Sequence, residues 1–505
     1  MSINRQMAKN AVWTVGLRMF DRGVGVMSTL ILVRLLMPED FGLVAMATVF
    51  FHLLSAVSDF SVHVPLIQRA EIDRQDMDSA WTLQCLVGFG QAVILVAVAH
   101  PVSVFYQEPR LVSVMYVLAL TAAITGIANI GVVMFQREMA FDREFVLKAT
   151  QRLVGLVVTV AAAWVWKSYW ALLVGMLSNS MVGAILSYGM HPYRPRVSVS
   201  KARELIHFSK WMLLNNLFTF LGTRAPDFLL GRLYGARSVG LYSVSYEVAM
   251  LPTTELVAPI NRVALPGYSR MRDTEGGLQH GFLDVIGLIA LIALPAAMGI
   301  AATADVVVPI LLGDKWRDAI PVIHYLAIGG ALGALITNSW SVMLALGRPA
   351  LLTVQQFGRM VLLLPAIYFG AVWAEVEGIA IAYLIVTAVM LSVNVAITLG
   401  VLALSFWAYL QVVYRPLVGV IVMYPLVRMV FLPWLSDTWG EWEIVVALCA
   451  VGLGAAVFVV CELLLWVLAG RPTGAETRFL ELMSQASGNR LPWLSAWVRK
   501  QKESA

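Results

Sequence analysis

The chain has 505 residues, of which 59% are hydrophobic and only 13% charged, and its mean hydropathy is +0.78. Soluble proteins carry about 25% charged residues, so this composition excludes a water-soluble enzyme and indicates a polytopic, all-α membrane protein. The formal net charge of +5 is no sign of a nucleic-acid partner, because the excess collects in a few loops and the tail, where membrane topology accounts for it.

A span needs about 20 mostly apolar residues. The pattern predicts about fourteen transmembrane helices. The polar, basic N-terminus runs straight into the first long span and shows no cleavable leader. The first six spans run roughly 12–36, 41–67, 79–100, 111–135, 144–166 and 168–190, and form an N-terminal six-helix bundle over residues 1–190. A polar, basic linker, 191–205, follows. Six more spans, roughly 206–234, 238–265, 282–304, 318–346, 350–372 and 376–402, form a second bundle over 206–402. Two additional helices lie in 403–469, and 470–505 is a polar tail. Lys and Arg collect in the even-numbered loops, the N-terminus and the tail (Arg74, Arg137, Arg143, Lys148, Arg194, Lys201, Arg490), which puts both termini in the cytoplasm. Cys85, Cys449 and Cys461 sit in spans and read as small core residues.

The first span carries Arg18, Asp21 and Arg22 on one helical face. An Arg or Asp near the middle of a lipid-facing helix costs about 2.5–3.5 kcal/mol on insertion scales, so this face must look into a wet interior. Asp21 is placed to pair with Arg18 or with a charge on another helix. Gly23 and Gly25 offer a close approach to a neighbouring backbone.

Span 7 mirrors span 1: Arg224 and Asp227 are three apart, with a kink expected near Gly222 and Pro226. Span 8 holds Glu247 and Glu255, span 2 holds Asp59, and Arg152 and Arg359 lie in spans 5 and 11. Two readings stand side by side. Either these groups line a hydrated cleft between the bundles, bounded by spans 1, 2, 7 and 8, or the Arg/Asp pairs neutralise one another and pin helices together. Arg34 and Arg232, near the outer ends, snorkel to head groups. His52 and His324 read as satisfied core residues, and Trp13, Trp81, Trp164, Trp170, Trp373, Trp434, Trp439 and Trp442 as interfacial anchors.

Val33-Arg34-Leu-Leu-Met-Pro-Glu-Asp-Phe-Gly42-Leu43 aligns without gaps on Gly231-Arg232-Leu-Tyr-Gly-Ala-Arg-Ser-Val-Gly240-Leu241, and Pro65-Leu-Ile-Gln-Arg69 on Pro266-Gly-Tyr-Ser-Arg270. Spans 1–6 and 7–12 therefore read as two copies of one unit. An even number of spans per copy puts the pseudo-two-fold axis along the membrane normal.

The run Arg34-Leu-Leu-Met-Pro-Glu-Asp-Phe-Gly42-Leu-Val-Ala45 resembles the opening signature of the bacterial polysaccharide transporters. These are the O-antigen and exopolysaccharide flippases of the multidrug/oligosaccharidyl-lipid/polysaccharide exporter superfamily. The resemblance implies a charged first helix lining a central cavity and a polyprenyl-pyrophosphate-linked glycan as substrate. It also implies an inner-membrane monomer, no cofactor, and polymerase and glycosyltransferase components of the same pathway as partners. In lipid-intermediate flippases of that superfamily the two extra helices offer a groove for the lipid tail.

Arginines suit such a substrate, because guanidinium makes charge-assisted bidentate bonds to phosphate oxygens. The binding residues expected are Arg18, Asp21, Arg22, Arg224, Asp227, Glu247, Glu255 and Asp59. A cation-coupled multidrug antiporter of the same superfamily is the alternative, and it would want a more acidic cleft. A membrane-embedded polymerase is a third reading, and it would want a large outer loop. No metal-ligand spacing and no nucleophile motif occurs.

Overall fold

A computed structural model describes residues 3–58, 66, 72–201, 210–271, 276–440, 442–470, 474 and 476–477. No strand occurs among these residues. The helices are α1 (Ile3–Leu35), α2 (Pro38–Ser58), α3 (Arg74–Tyr106), α4 (Leu111–Gly126), α5 (Met134–Arg137), α6 (Phe141–Trp166) and α7 (Trp170–Met190). They continue with α8 (Lys210–Leu251), α9 (Ala258–Met271), α10 (Gly277–Leu311), α11 (Ile320–Ala345) and α12 (Pro349–Leu402). The last are α13 (Phe406–Pro425), α14 (Leu432–Trp439) and α15 (Glu443–Leu468).

Nine helical stretches among the described residues are long and apolar enough to cross a membrane, or ten if the pair Leu111–Gly126 and Ile130–Arg137, bent by 68°, is one span. Their outward surfaces are apolar: Val93, Val157, Ile185, Leu448 and Leu464 are all exposed, as lipid contact requires. Trp164, Trp170, Trp373, Trp434, Trp439 and Trp442 are exposed at or near helix ends.

Two helices are interrupted where the sequence supplies the means. α8 breaks at Gly235, whose φ of 78° lies in the left-handed region that glycine adopts without strain. The departure from helical dihedrals is there, and not at Gly222 or Pro226, where the sequence led us to expect a kink. α12 breaks at Ala374 and Glu375, inside the acidic Ala374-Glu-Val-Glu377 run. π-Helical turns replace α-helix at Pro252–Val257 and Leu426–Phe431. Prolines at 252 and 425 lack the N–H that would close the regular ladder.

The chain packs as two compact units, Met1–Ser243 with Leu311–Lys315 and Val244–Ile310 with Trp316–Ala505. In the first unit α3 packs on α4, α6 on α7, and α1 on α6. Residues 191–201 are not a free linker. Arg196 N–H donates to Asp78 Oδ1 and Ser198 N–H to Thr82 Oγ1, both at 2.9 Å, along the start of α3. Lys201 Nζ donates to Asp73 Oδ2 at 2.9 Å, and Asp73 caps α3 by accepting from Asp76 N–H at 2.8 Å. The Lys201 ammonium and the Asp76 amide hold the Asp73 carboxyl down at about 2.

Also in this unit, α2 crosses the part of α8 that follows Gly235. A Cβ on Gly42 would lie 1.6 Å from the Ala236 carbonyl oxygen and 2.8 Å from Gly240 N. A Cβ on Gly240 would lie 1.8 Å from the Pro38 carbonyl oxygen and 3.0 Å from Gly42 N. Only paired glycines let these backbones touch. Next to the crossing, Lys315 Nζ donates to the Arg34 carbonyl at 2.9 Å and Arg34 Nε to the Leu311 carbonyl at 3.2 Å. Arg34 thus ties α1 to 311–315, and the Arg232 guanidinium lies over the Phe105 ring at 5.4 Å.

In the second unit α11 packs on α12, α9 on α11 and α13 on α15, around an alanine- and isoleucine-rich core that includes Ile286, Ile289, Ala290, Ala293 and Ala334. Tyr268 Oη donates to Asn338 Oδ1 at 2.9 Å within it. His324 has partners on several sides: Tyr424 Oη lies 2.8 Å from Nε2, and Arg428 Nη1 lies 3.1 Å from Nδ1. Arg428 in turn pairs with Asp305 at 3.2 Å.

Candidate functional site

The charged face of α1 borders a cavity of 560 Å³ in the first unit, walled by α1, α5, α6 and α7. Helical spacing puts Arg18 and Asp21 on its wall from α1, and Lys148, Gln151 and Arg152 from α6. Gln136 of α5 and Asn179 of α7 add amide groups, while Trp13, Leu17 and Phe141 form an apolar side. The cavity is therefore a polar pocket on an apolar scaffold.

Its charges are largely paired. Arg152 Nε lies 3.3 Å from Asp21 Oδ1, so Asp21 takes its partner from another helix and not from Arg18. Gly25, one turn above Asp21, makes room for that guanidinium: a Cβ there would come within 3.1 Å of Arg152 Nη2. Gly25 thus admits a side chain and not the backbone expected, and nothing lies within 4 Å of a Cβ on Gly23. Lys148 is ion-paired to Glu144, which also accepts from Gln136 Nε2 at 2.8 Å. Three cations face two carboxylates, and among the described residues Arg18 has no carboxylate partner. It is exposed. The cavity thus presents one guanidinium without a carboxylate partner among the described residues, beside a guanidinium and an ammonium whose counter-ions an incoming anion would have to displace.

Arg224 and Asp227 form a second constellation and are not on the cavity wall. Asp227 is buried, and its oxygens accept from Arg224 Nη1 and from Ser243 Oγ, each at 3.2 Å. Tyr106 near it belongs to an aromatic cluster in which Phe105 stacks on Phe228 while Phe50 and Tyr106 meet the other rings tilted or edge-on. The Tyr106 ring fills the notch at Gly231, where a Cβ would lie 2.7 Å from Cε1.

The other expected residues are dispersed. Arg22 is exposed on α1 and has an interaction of its own. Glu247 is exposed on α8, and Glu255 sits in the π-helical turn, where Thr254 Oγ1 donates to it at 2.9 Å. Asp59 lies outside the described residues. Lys148, Gln136, Gln151 and Asn179 were not anticipated as site residues. Lys148 reads in the sequence as a loop charge of topological value. The i, i+4 spacing of Lys148 with both Glu144 and Arg152 was the available signal that one polar helical face runs into the span.

The chain is 25% identical over 390 residues to the lipopolysaccharide biosynthesis protein WzxC of Escherichia coli (strain K12), covering 76% of this chain and 79% of WzxC. It is 22% identical over 427 residues to the succinoglycan biosynthesis transport protein ExoT of Rhizobium meliloti (strain 1021), covering 84% of this chain and 86% of ExoT. Among solved structures, the lipid II flippase MurJ in an inward closed conformation superposes with a TM-score of 0.71 at 10% identity, covering 91% of this chain and all of MurJ, so the fold is MurJ-like. The family described as polysaccharide biosynthesis protein matches residues 31–321, more than half of the chain, and the protein belongs to that family.

Proposed function

We infer that this protein is a flippase that carries polyprenyl-pyrophosphate-linked oligosaccharide units across the inner membrane for surface polysaccharide synthesis. The observation that carries the reading is Arg18, uncommitted on a 560 Å³ cavity with Arg152 and Lys148 on the same wall. A diphosphate meets that surface with charge-assisted bonds. The amides of Gln136, Gln151 and Asn179 suit sugar hydroxyls. The names of the relatives, in lipopolysaccharide biosynthesis and succinoglycan transport, agree with the same substrate class. A cation-coupled drug antiporter is disfavoured, because the cations on this wall outnumber the carboxylates.

The full architecture we propose has fourteen spans, with bundles 1–190 and 206–402 as repeats, helices in 403–469 and a tail at 470–505. Its support is that the interrupted α12 divides into two span-length helices, and that the part of α8 beyond Gly235 reaches span length together with the π-helical turn and α9 that continue it. The repeat is supported by reciprocity at the glycine crossing. Gly42 meets Ala236 while Gly240 meets Pro38, and these are the positions that the internal alignment pairs. Two copies related by a two-fold axis make such isologous contacts. Both termini face the cytoplasm, from the Lys and Arg distribution. The protein acts as a monomer, without catalysis, beside the polymerase and glycosyltransferases of its pathway. Transport proceeds by alternating access of the two bundles.

The test is export of polymer in cells depleted of the native protein. Arg18→Ala should stop export at unchanged membrane abundance and leave lipid-linked sugar in the cytoplasmic leaflet. Arg18→Lys should restore little, since it keeps charge but loses the planar fork. Wild-type export by Arg18→Ala would refute the assignment.

A further inference from the structure

In the second unit a guanidinium and two carboxyl groups are buried together. Arg415 of α13 is 6% exposed, Glu462 of α15 4%, and Glu476, beyond the last helix, 6%. Arg415 Nε donates to Glu476 Oε1 at 2.5 Å. Gly474 closes over the pair: a Cβ there would lie 3.3 Å from Glu476 Oε2 and 3.8 Å from Arg415 Nη2. On α13, a Cβ at Gly419 would lie 3.8 Å from Glu462 Oε2, so Glu462 reaches across to that helix. Gly474 and Glu476 are thus held against the α13–α15 pair by one ion pair.

The hydrogen bonding is incomplete. Both oxygens of Glu462, Oε2 of Glu476 and the Thr477 hydroxyl are buried with no partner among the described residues. Two ionised carboxylates facing one guanidinium would leave a net negative charge in a dry site, which a protein removes by taking up a proton. One proton also supplies what the geometry lacks. It turns a Glu462 oxygen into a donor, and Glu476 Oε2 is an empty acceptor.

We propose that Glu462 and Glu476 form a proton-binding site, and that the shared proton holds Glu476, with Gly474 and Thr477, against α13 and α15. When the proton leaves to water, Glu462 becomes an anion that competes with Glu476 for Arg415. Glu476 can satisfy its charge in water and departs with its segment. The docked state holds one proton more than the released state, so raising the pH favours release. The charged and titratable groups facing Glu462 among the described residues are Arg415 of α13 and Glu476, and Arg415 lies over the Tyr414 ring at 5.4 Å. The site shares no residue with the cavity, so its test does not depend on the substrate.

Purified full-length protein in detergent is given short trypsin pulses between pH 6.5 and 9.5, normalised to a reference peptide. Cleavage after Arg478, which follows the segment and precedes Phe479, is read by mass. One released proton gives up to about tenfold per pH unit, so wild type should be cleaved at least about tenfold faster at pH 9.5 than at pH 6.5. Glu462→Gln, neutral at every pH and able to donate, should stay protected throughout. Glu476→Gln should be cleaved fast throughout. Wild-type cleavage that ignores pH overturns the proposal, as does a Glu462→Gln protein with wild-type pH dependence. Protection that follows sodium concentration at fixed pH also overturns it, because the site would then hold a metal cation. Should Glu462→Gln not elute as folded protein, maleimide labelling of Thr477→Cys, corrected for thiolate fraction, must rise over the same pH range; no rise is equally fatal.

Discussion

Arg224→Ala and Arg18→Ala remove the same side chain from two environments, and the structure separates their outcomes. Asp227 is 3% exposed and holds one bond from Arg224 Nη1 and one from Ser243 Oγ, each at 3.2 Å. Without the guanidinium, a buried carboxylate keeps a single neutral donor. Removing one partner of a buried pair costs about 3–5 kcal/mol. The Arg224 side chain is itself 39% exposed, so water softens the loss and the lower end, about 3 kcal/mol, applies. That is a large share of a folding free energy of about 5–15 kcal/mol. Arg18 is exposed and takes no carboxylate, so its removal should cost less than about 0.5 kcal/mol. Arg224→Ala should therefore be depleted from the membrane and unfold at lower temperature in detergent, while Arg18→Ala is as abundant as wild type yet fails to export. Adding Asp227→Asn to Arg224→Ala should restore most of the loss, since an amide needs no counter-ion. Membrane immunoblots, thermal size-exclusion profiles and polymer output measure the three quantities. Equal stability of the two Arg→Ala proteins, or no rescue by Asp227→Asn, would show that the Asp227 pair does not pin these helices.

Three further outcomes follow from named contacts. Gly42→Ala and Gly240→Ala should each cost about 1–3 kcal/mol, because their methyl groups meet backbone carbonyls that cannot rotate away; the costs should match one another, and wild-type melting of either variant would contradict the crossing. A reporter active only in the cytoplasm should work when fused after Ala505 and be silent in the 311–318 loop; the reverse at either site contradicts the topology. The Lys201 tie to Asp73 should persist at neutral pH and fail as pH falls from about 4 towards 2, since the Asp73 carboxyl sits at about 2 against an ordinary 3.8. Protection of Lys201 N–H from hydrogen exchange, taken relative to the intrinsic rate at each pH, should report that loss, and Asp73→Asn should abolish the pH dependence of that protection.

Composition and periodicity alone determined that this chain is a helical membrane protein. Apolar runs of span length leave no other economical way to satisfy backbone polar groups in lipid. The short run from Arg34 to Ala45 carried the family, and the sequence also marked Arg18 and Asp21 as a face needing a wet partner. Which partner it found was a tertiary matter. Asp21 went to Arg152, some 130 positions along the chain, because packing of α1 on α6 over Gly25 brings that guanidinium within 3.3 Å. One-dimensional spacing cannot rank partners on different helices. For the same reason Arg224 and Asp227, alike in sequence to the pair on α1, proved to pair with one another around a buried Asp227 beside Ser243. The glycine crossing was half legible. The alignment paired Gly42 with Gly240, but only the fold brought the two backbones into contact, where the absence of a side chain becomes a requirement. Arg415 and Glu462 stood in the sequence as charges inside spans, but that Glu476 partners Arg415 was not legible, because a charge in a polar tail looks solvated until the chain folds back and buries it.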